Sequence, residues 1–142
     1  MPVPDESLVR FRRVVAAALA ELENRRQEVN DLNVFPVADG DTGDNMVQTL
    51  RSVMQELDRL AEDHENARAL ADGLAELGCE VVAPQTNLVI FSAPAGFVEA
   101  MGRRAVELTE TPDGRVRAVT HLDVGRADVE EALKAASGAL LT

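Results

Sequence analysis

A chain of 142 residues has room for one domain or two small ones, and its 46% apolar content is enough for a core. The net charge of −11, with four Phe and no Trp or Tyr, argues against nucleic acid and anionic membranes as partners and against base-stacking platforms. A single cysteine excludes a disulfide framework, and no run approaches the ~18 apolar residues of a membrane span.

The N-terminal segment MPVPDESLVR lacks the basic and then apolar regions of a signal peptide, so a cytoplasmic protein is expected. Residues 5–32 predict a helix. Leu8, Phe11, Val15, Ala18, Leu22, Val29 and Leu32 recur at three- and four-residue steps on one stripe, which Arg25 interrupts. Asp5 or Ser7 is placed to cap it. An acidic loop follows at 33–43, where Pro36 excludes a continuous helix.

Met46, Leu50, Val53, Leu57, Leu60, His64, Ala67, Ala71 and Leu74 then keep helical spacing, with no Gly or Pro between Asn45 and Asp72. The spacing predicts one helix from about 44 to 77, about 50 Å long, ended by Gly78 as a left-handed cap. Its seam must be buried against the first helix, the C-terminal sheet or another chain, so self-association through the long helix is the expected partner mode. Cys79 is expected as a small core residue before a strand.

Residues Thr86–Phe91 predict a strand, and Glu80–Val82 a short one before Pro84. A helix is expected over Ala95–Glu107, a turn at 111–114, and a second strand over Arg115–Leu122. In that strand Val116, Ala118 and Thr120 share one face, and Arg117, Val119 and His121 the other. Asp128 opens a last helix to about Leu141, with Val129, Ala132, Leu133 and Ala136 inward. The fold class is α+β: an N-terminal helical hairpin whose long second helix leads into a small antiparallel sheet covered by helices.

Residues 30–46, NDLNVFPVADGDTGDNM, carry the densest chemistry. Asp39 and Asp41 lie two apart among glycines, and Asp44 follows at a helix start. Carboxylates this close repel unless water or a cation screens them, and Mg²⁺ uses such ligands together with phosphates. The N–H groups of the following helix would suit a phosphate. The same residues also make an ordinary solvated turn, and residue types leave both readings open. An EF-hand beginning at Asp39 fails, because it would need Gly at Asp44 and Glu at Leu50.

From about Leu8 to Gln55 the chain resembles the start of the nucleotide-binding domain of the dihydroxyacetone kinase and fatty acid kinase family, on the string VNDLNVFPVADGDTGDNM. The resemblance implies an all-helical barrel in which Asp39 and Asp41 hold Mg²⁺ that bridges to ATP or ADP. It further implies that Thr42 and Asn45 face the phosphates, with Asn33 a weaker correspondence. The Gly- and Ser-rich loops that close over nucleotide in that family have no counterpart after residue 55.

Residues 57–142 resemble a different family. LDRLAEDHENARALADGLAEL (57–77), PQTNLVIF (84–91) and RVRAVTHLDVGRADVEEAL (115–133) are similar to the small C-terminal domain of low-specificity threonine aldolases. Those are pyridoxal phosphate enzymes that cleave β-hydroxy amino acids to glycine and an aldehyde. The resemblance implies that Arg117 binds the substrate α-carboxylate. Pyridoxal phosphate needs a lysine. Lys134 is the one lysine, in the terminal helix pattern and on its solvent side, so the cofactor is not expected to bind this chain alone.

The expected organisation is a kinase-type segment at 1–56 joined to an aldolase-type small domain at 57–142, with no complete active site and no activity alone. No catalytic residue is assigned. His64 falls on the helical stripe and reads as a packed core residue. His121 and Asp123 share a strand face, but no Ser or Cys nucleophile accompanies them. Two alternatives remain: a Mg²⁺-dependent nucleotide-binding module with weak ADP or ATP affinity, and an aldolase subdomain completed by a large domain in trans.

Overall fold

The computed structural model describes residues 5–32 and 39–141. Asn33, Pro36 and the apolar run Val34–Val37 lie outside the described residues. In chain order the elements are α1 (Glu6–Asn24), α2 (Arg26–Asp31), α3 (Thr42–Glu76), β1 (Val81–Val82), β2 (Leu88–Phe91), α4 (Phe97–Gly102), β3 (Thr109–Glu110), β4 (Val116–Val119) and α5 (Arg126–Leu140). The chain divides into two units, one up to Ala61 and one from Glu62, and the division falls inside α3. The α+β class read from the sequence is the observed one.

In the first unit, Asp5 caps α1 by accepting the N–H groups of Ser7 at 3.0 Å and Leu8 at 3.3 Å. The single helix expected over 5–32 is two helices. Arg25 takes φ −103° and ψ 9°, outside the helical well, and the chain restarts as α2. The stripe is correspondingly only partly inward: Val15 is buried, whereas Phe11, Ala18 and Leu32 are exposed. On α3 the buried line is Gly43, Val47 and Leu57, with Leu50 and Met54 half-buried, so Met46 and Leu60 lie one residue off the seam and are exposed. Arg12 bonds Asp58 at 2.7 Å, which ties α1 to α3 and holds the Asp58 carboxyl below its usual range.

In the second unit the four strands run antiparallel in the order β1-β2-β4-β3. Alternation sends Val89, Phe91, Val116 and Ala118 to one face. That face forms the core with Ala67, Ala71 and Leu74 of α3, Phe97 and Met101 of α4 and Ala136 of α5. Phe91 and Phe97 meet edge to face at 5.8 Å. Gly73 lets Leu133 lie against the α3 backbone, since a Cβ there would sit 2.4 Å from a Leu133 methyl.

Helix α3 ends as its glycine requires. Gly78 has φ +90°, its N–H donates to Ala75 O, and the N–H of Cys79 reaches back to Leu74 O at 3.0 Å. Cys79 is half-buried against the core, and that burial raises its thiol pKa. Three polar side chains are tied to backbone carbonyls of the same unit. Thr120 Oγ1 donates to Asp63 O at 2.6 Å, Asn66 donates to Val124 O at 3.0 Å, and Asn87 donates to Thr120 O at 2.7 Å. His64 is buried, as its place on the stripe implied.

Three elements are shorter than their sequence patterns. The strand expected from Thr86 starts at Leu88, because the Thr86 hydroxyl turns back to accept the Leu88 N–H. The helix expected to Glu107 stops at Gly102, and Ala105 at φ 59° redirects the chain. The strand expected to Leu122 ends at Val119, because the Val124 N–H closes a turn onto His121 O at 2.7 Å. The last helix starts slightly early, where Asp128 accepts the Gly125 N–H at 2.8 Å.

Leu57 is 8% exposed and Leu60 39%, so the same truncation should cost different amounts. Leu57→Ala should destabilise by about 2–4 kcal/mol and Leu60→Ala by less than about 1 kcal/mol. Urea unfolding followed by circular dichroism measures both, and equal losses would contradict this seam.

Candidate functional site

Two places carry the residues singled out in the sequence, one in each unit. In the first unit Asp39 and Asp41 are exposed just before α3. Thr42 and Asn45 stand one turn apart on its first turn and line an open cleft of about 370 Å³ with Leu22, Met46 and Leu50. The third carboxylate is already engaged: Asp44 accepts from Asn30 Nδ2 at 2.9 Å and lies 3.4 Å from Arg26.

Asn30 also occupies the helix end. Its buried side chain accepts the N–H of Gly43 at 2.7 Å and of Asp44 at 3.3 Å. These are groups that the sequence pattern aims at a phosphate, and a side chain from α2 holds them instead. Gly43 is required for this approach, since a Cβ there would lie 2.4 Å from Arg26 O. Sequence reading missed Asn30. The available signal was the break at Arg25, after which Val29 and Asn30 form the inward side of a new short helix. Among the described residues no group of three or more His, Cys, Asp or Glu is arranged to hold a metal ion.

In the second unit the functional candidates stand on the outer face of the sheet. Cross-strand register places Val82, Ile90, Arg117 and Thr109 in one row, one residue from each strand. Leu88 and Val119 form the neighbouring pair on the same face. Arg117 is exposed and makes no ion pair among the described residues. It opens into a shallow groove of about 440 Å³ shared with Glu107, Thr109 and His121. An unpaired guanidinium on a half-apolar floor is suited to a planar anion such as a carboxylate.

Glu107 and Thr109 were not foreseen. Glu107 reaches the groove because α4 stops early, and Thr109 because the short strand β3 pairs with β4. His121 lies at the groove end with Nδ1 accepting the Asp123 N–H at 3.4 Å. The Asp123 carboxylate is 3.9 Å from that nitrogen and 87% exposed, too far and too wet to orient the ring as a triad member would. Lys134 is exposed on α5. The residues present therefore do not fit pyridoxal phosphate, which needs an amine in an enclosed site.

No protein-family model matches the chain. It is 39% identical over 77 residues to the low specificity L-threonine aldolase of Escherichia coli O157:H7, and equally to that of Escherichia coli K12. The alignment covers 51% of this chain and 22% of each relative, so the chain spans about a fifth of the length of the curated relatives it matches. A crystal structure from Burkholderia pseudomallei K96243, of a protein described as an aminotransferase, superposes with a TM-score of 0.53 at 17% identity. It covers 71% of this chain and 31% of its own, a likeness of fold alone. These findings support the aldolase-like part of the sequence reading; they give no support to the kinase-like part. Among the described residues no helix is long and apolar enough to cross a membrane.

Among the described residues Arg117 has no ion-pair partner to lose. Arg117→Ala should shift the melting temperature by no more than the equivalent of about 1 kcal/mol. A large drop in a thermal melt would mean that the arginine is a structural member of the sheet.

Proposed function

We propose that residues 57–142 act as the small domain of a threonine-aldolase-type lyase, working against a large domain that these residues do not contain. One observation carries this: among the described residues Arg117 has no ion-pair partner and stands in the middle of an exposed, half-apolar sheet face, in a chain about half of which is related in sequence to low specificity L-threonine aldolase. Arg117 would take the α-carboxylate of a β-hydroxy amino acid through two parallel N–H···O bonds, which fix the direction of the substrate as well as its place. The outer face, with Val82, Leu88, Ile90 and Val119, would be the floor over which the other domain closes. The chemistry of bond cleavage belongs to that domain and its cofactor, so the isolated chain is inactive in this reading.

The test is complementation. Mixing the purified chain with a threonine aldolase large domain that lacks its own small domain should restore release of glycine from L-threonine. Arg117→Ala should raise KM at least about tenfold, and Arg117→Lys should recover part of that loss. Incubating the chain alone with pyridoxal phosphate and borohydride should leave Lys134 unmodified. No gain on mixing, or an aldolase-competent adduct at Lys134, would contradict the proposal.

A second reading rests on the first unit, where Thr42 and Asn45 share one cleft beside Asp41. In it Asp39 and Asp41 hold Mg²⁺ that keeps water in its remaining positions and meets the phosphates of ADP or ATP. Asn30 already holds two of the helix N–H groups, so affinity should be no tighter than about 1 mM. Calorimetry with Mg²⁺–ADP checks this. Loss of binding in the double variant Asp39→Asn, Asp41→Asn supports the reading, and micromolar affinity surviving it excludes it.

A further inference from the structure

The first unit exposes a ridge that the functions above do not use. Glu6, Arg10, Val14, Ala17 and Glu21 of α1 and its capping residue Arg25 follow one another at three- and four-residue spacing, and all are exposed. Phe11 and Ala18 flank the middle of this ridge, with Phe11 55% and Val14 65% exposed. They lie this open in a unit whose buried apolar residues, among those described, are Val15, Val47 and Leu57.

We propose that this ridge is a self-association surface that takes a second copy of the chain, α1 against α1, antiparallel about a two-fold axis. The argument is charge complementarity. Each end of the ridge carries a pair four residues apart, Glu6 with Arg10 at 2.9 Å and Glu21 with the capping residue Arg25 at 2.8 Å. Reversing one copy against the other brings Glu6 opposite Arg25 of the second copy and Arg10 opposite its Glu21. The same register sets Val14 against Ala17 of the second copy, and it leaves Phe11 beside small side chains. Charges and apolar residues are thus satisfied by one alignment, and a two-fold interface makes every contact twice. Small residues at the middle allow the helices to approach closely.

The rest of the molecule favours this occupant. A chain of net charge −11 repels its own copies over most of its surface. This ridge carries two acids and two bases and is locally neutral, so two copies meet there without that penalty. A basic partner would gain more on the acidic surface elsewhere.

Sedimentation velocity on the full chain tests the proposal. The wild-type chain should show a concentration-dependent dimer. Val14→Glu should abolish it with helicity unchanged by circular dichroism. Arg10→Glu and Glu21→Arg should each weaken it at least about tenfold, because each variant sets like charges opposite one another twice. An equimolar mixture of those two variants should recover the dimer, since the exchanged charges are complementary between different chains. A single-chain mass for the wild type at every concentration, a dimer indifferent to these substitutions, or no recovery in the mixture would overturn the proposal.

Discussion

The structure depends on α3, whose buried line serves each unit in turn: Gly43, Val47 and Leu57 in the first, and Ala67, Ala71 and Leu74 in the second. Its last two and a half turns are not an appendage to the sheet. Ala67, Ala71 and Leu74 are among the most buried residues of the second unit, and they press on Val89, Phe91, Val116 and Ala118. Small alanines at two of these positions bring the helix close to the strands, while Leu74 fills the space near the helix end. Gly78 then turns the chain sharply enough for β1 to begin at Val81. Without that left-handed cap the helix would overrun the first strand, and the sheet edge would lose its pairing with β2.

The seam was the most legible feature of the sequence because helical spacing continued without Gly or Pro through the middle of α3. Its phase was less legible. Between Met46 and Leu60, apolar residues occupy adjacent positions, such as Met46 with Val47 and Val53 with Met54, and spacing alone cannot choose between them. Only the packing of α1 and α2 decides that Val47 is inward. The inward face of β4 was likewise readable from alternation, and Arg117 on its outer face followed directly.

What sequence could not supply was non-local. Asn30 closing the N-terminus of α3 depends on a bend at Arg25 and on a glycine 13 residues away. The early stop of α4 depends on Ala105 taking a left-handed conformation that its residue type does not advertise. Strand β3 is two residues long and exists only by pairing with β4. Each of these shapes a candidate site: the first occupies the helix end at the acidic turn, and the other two bring Glu107 and Thr109 to the groove of Arg117.

The second unit therefore holds a finished core beneath an unfinished face. Its inner surface is closed by three helices, and its outer surface presents an arginine without a partner among the described residues. A surface of that kind is expected where another domain brings the ligand. This account requires the second unit to be stable by itself, with the end of α3 as an integral core element. Hydrogen exchange resolved by residue tests that requirement most directly. Amides from His64 to Glu76 should be protected to the same extent as those of β2 and β4, and should open together with them. Fast exchange of that helical segment while the strands stay protected would contradict the account.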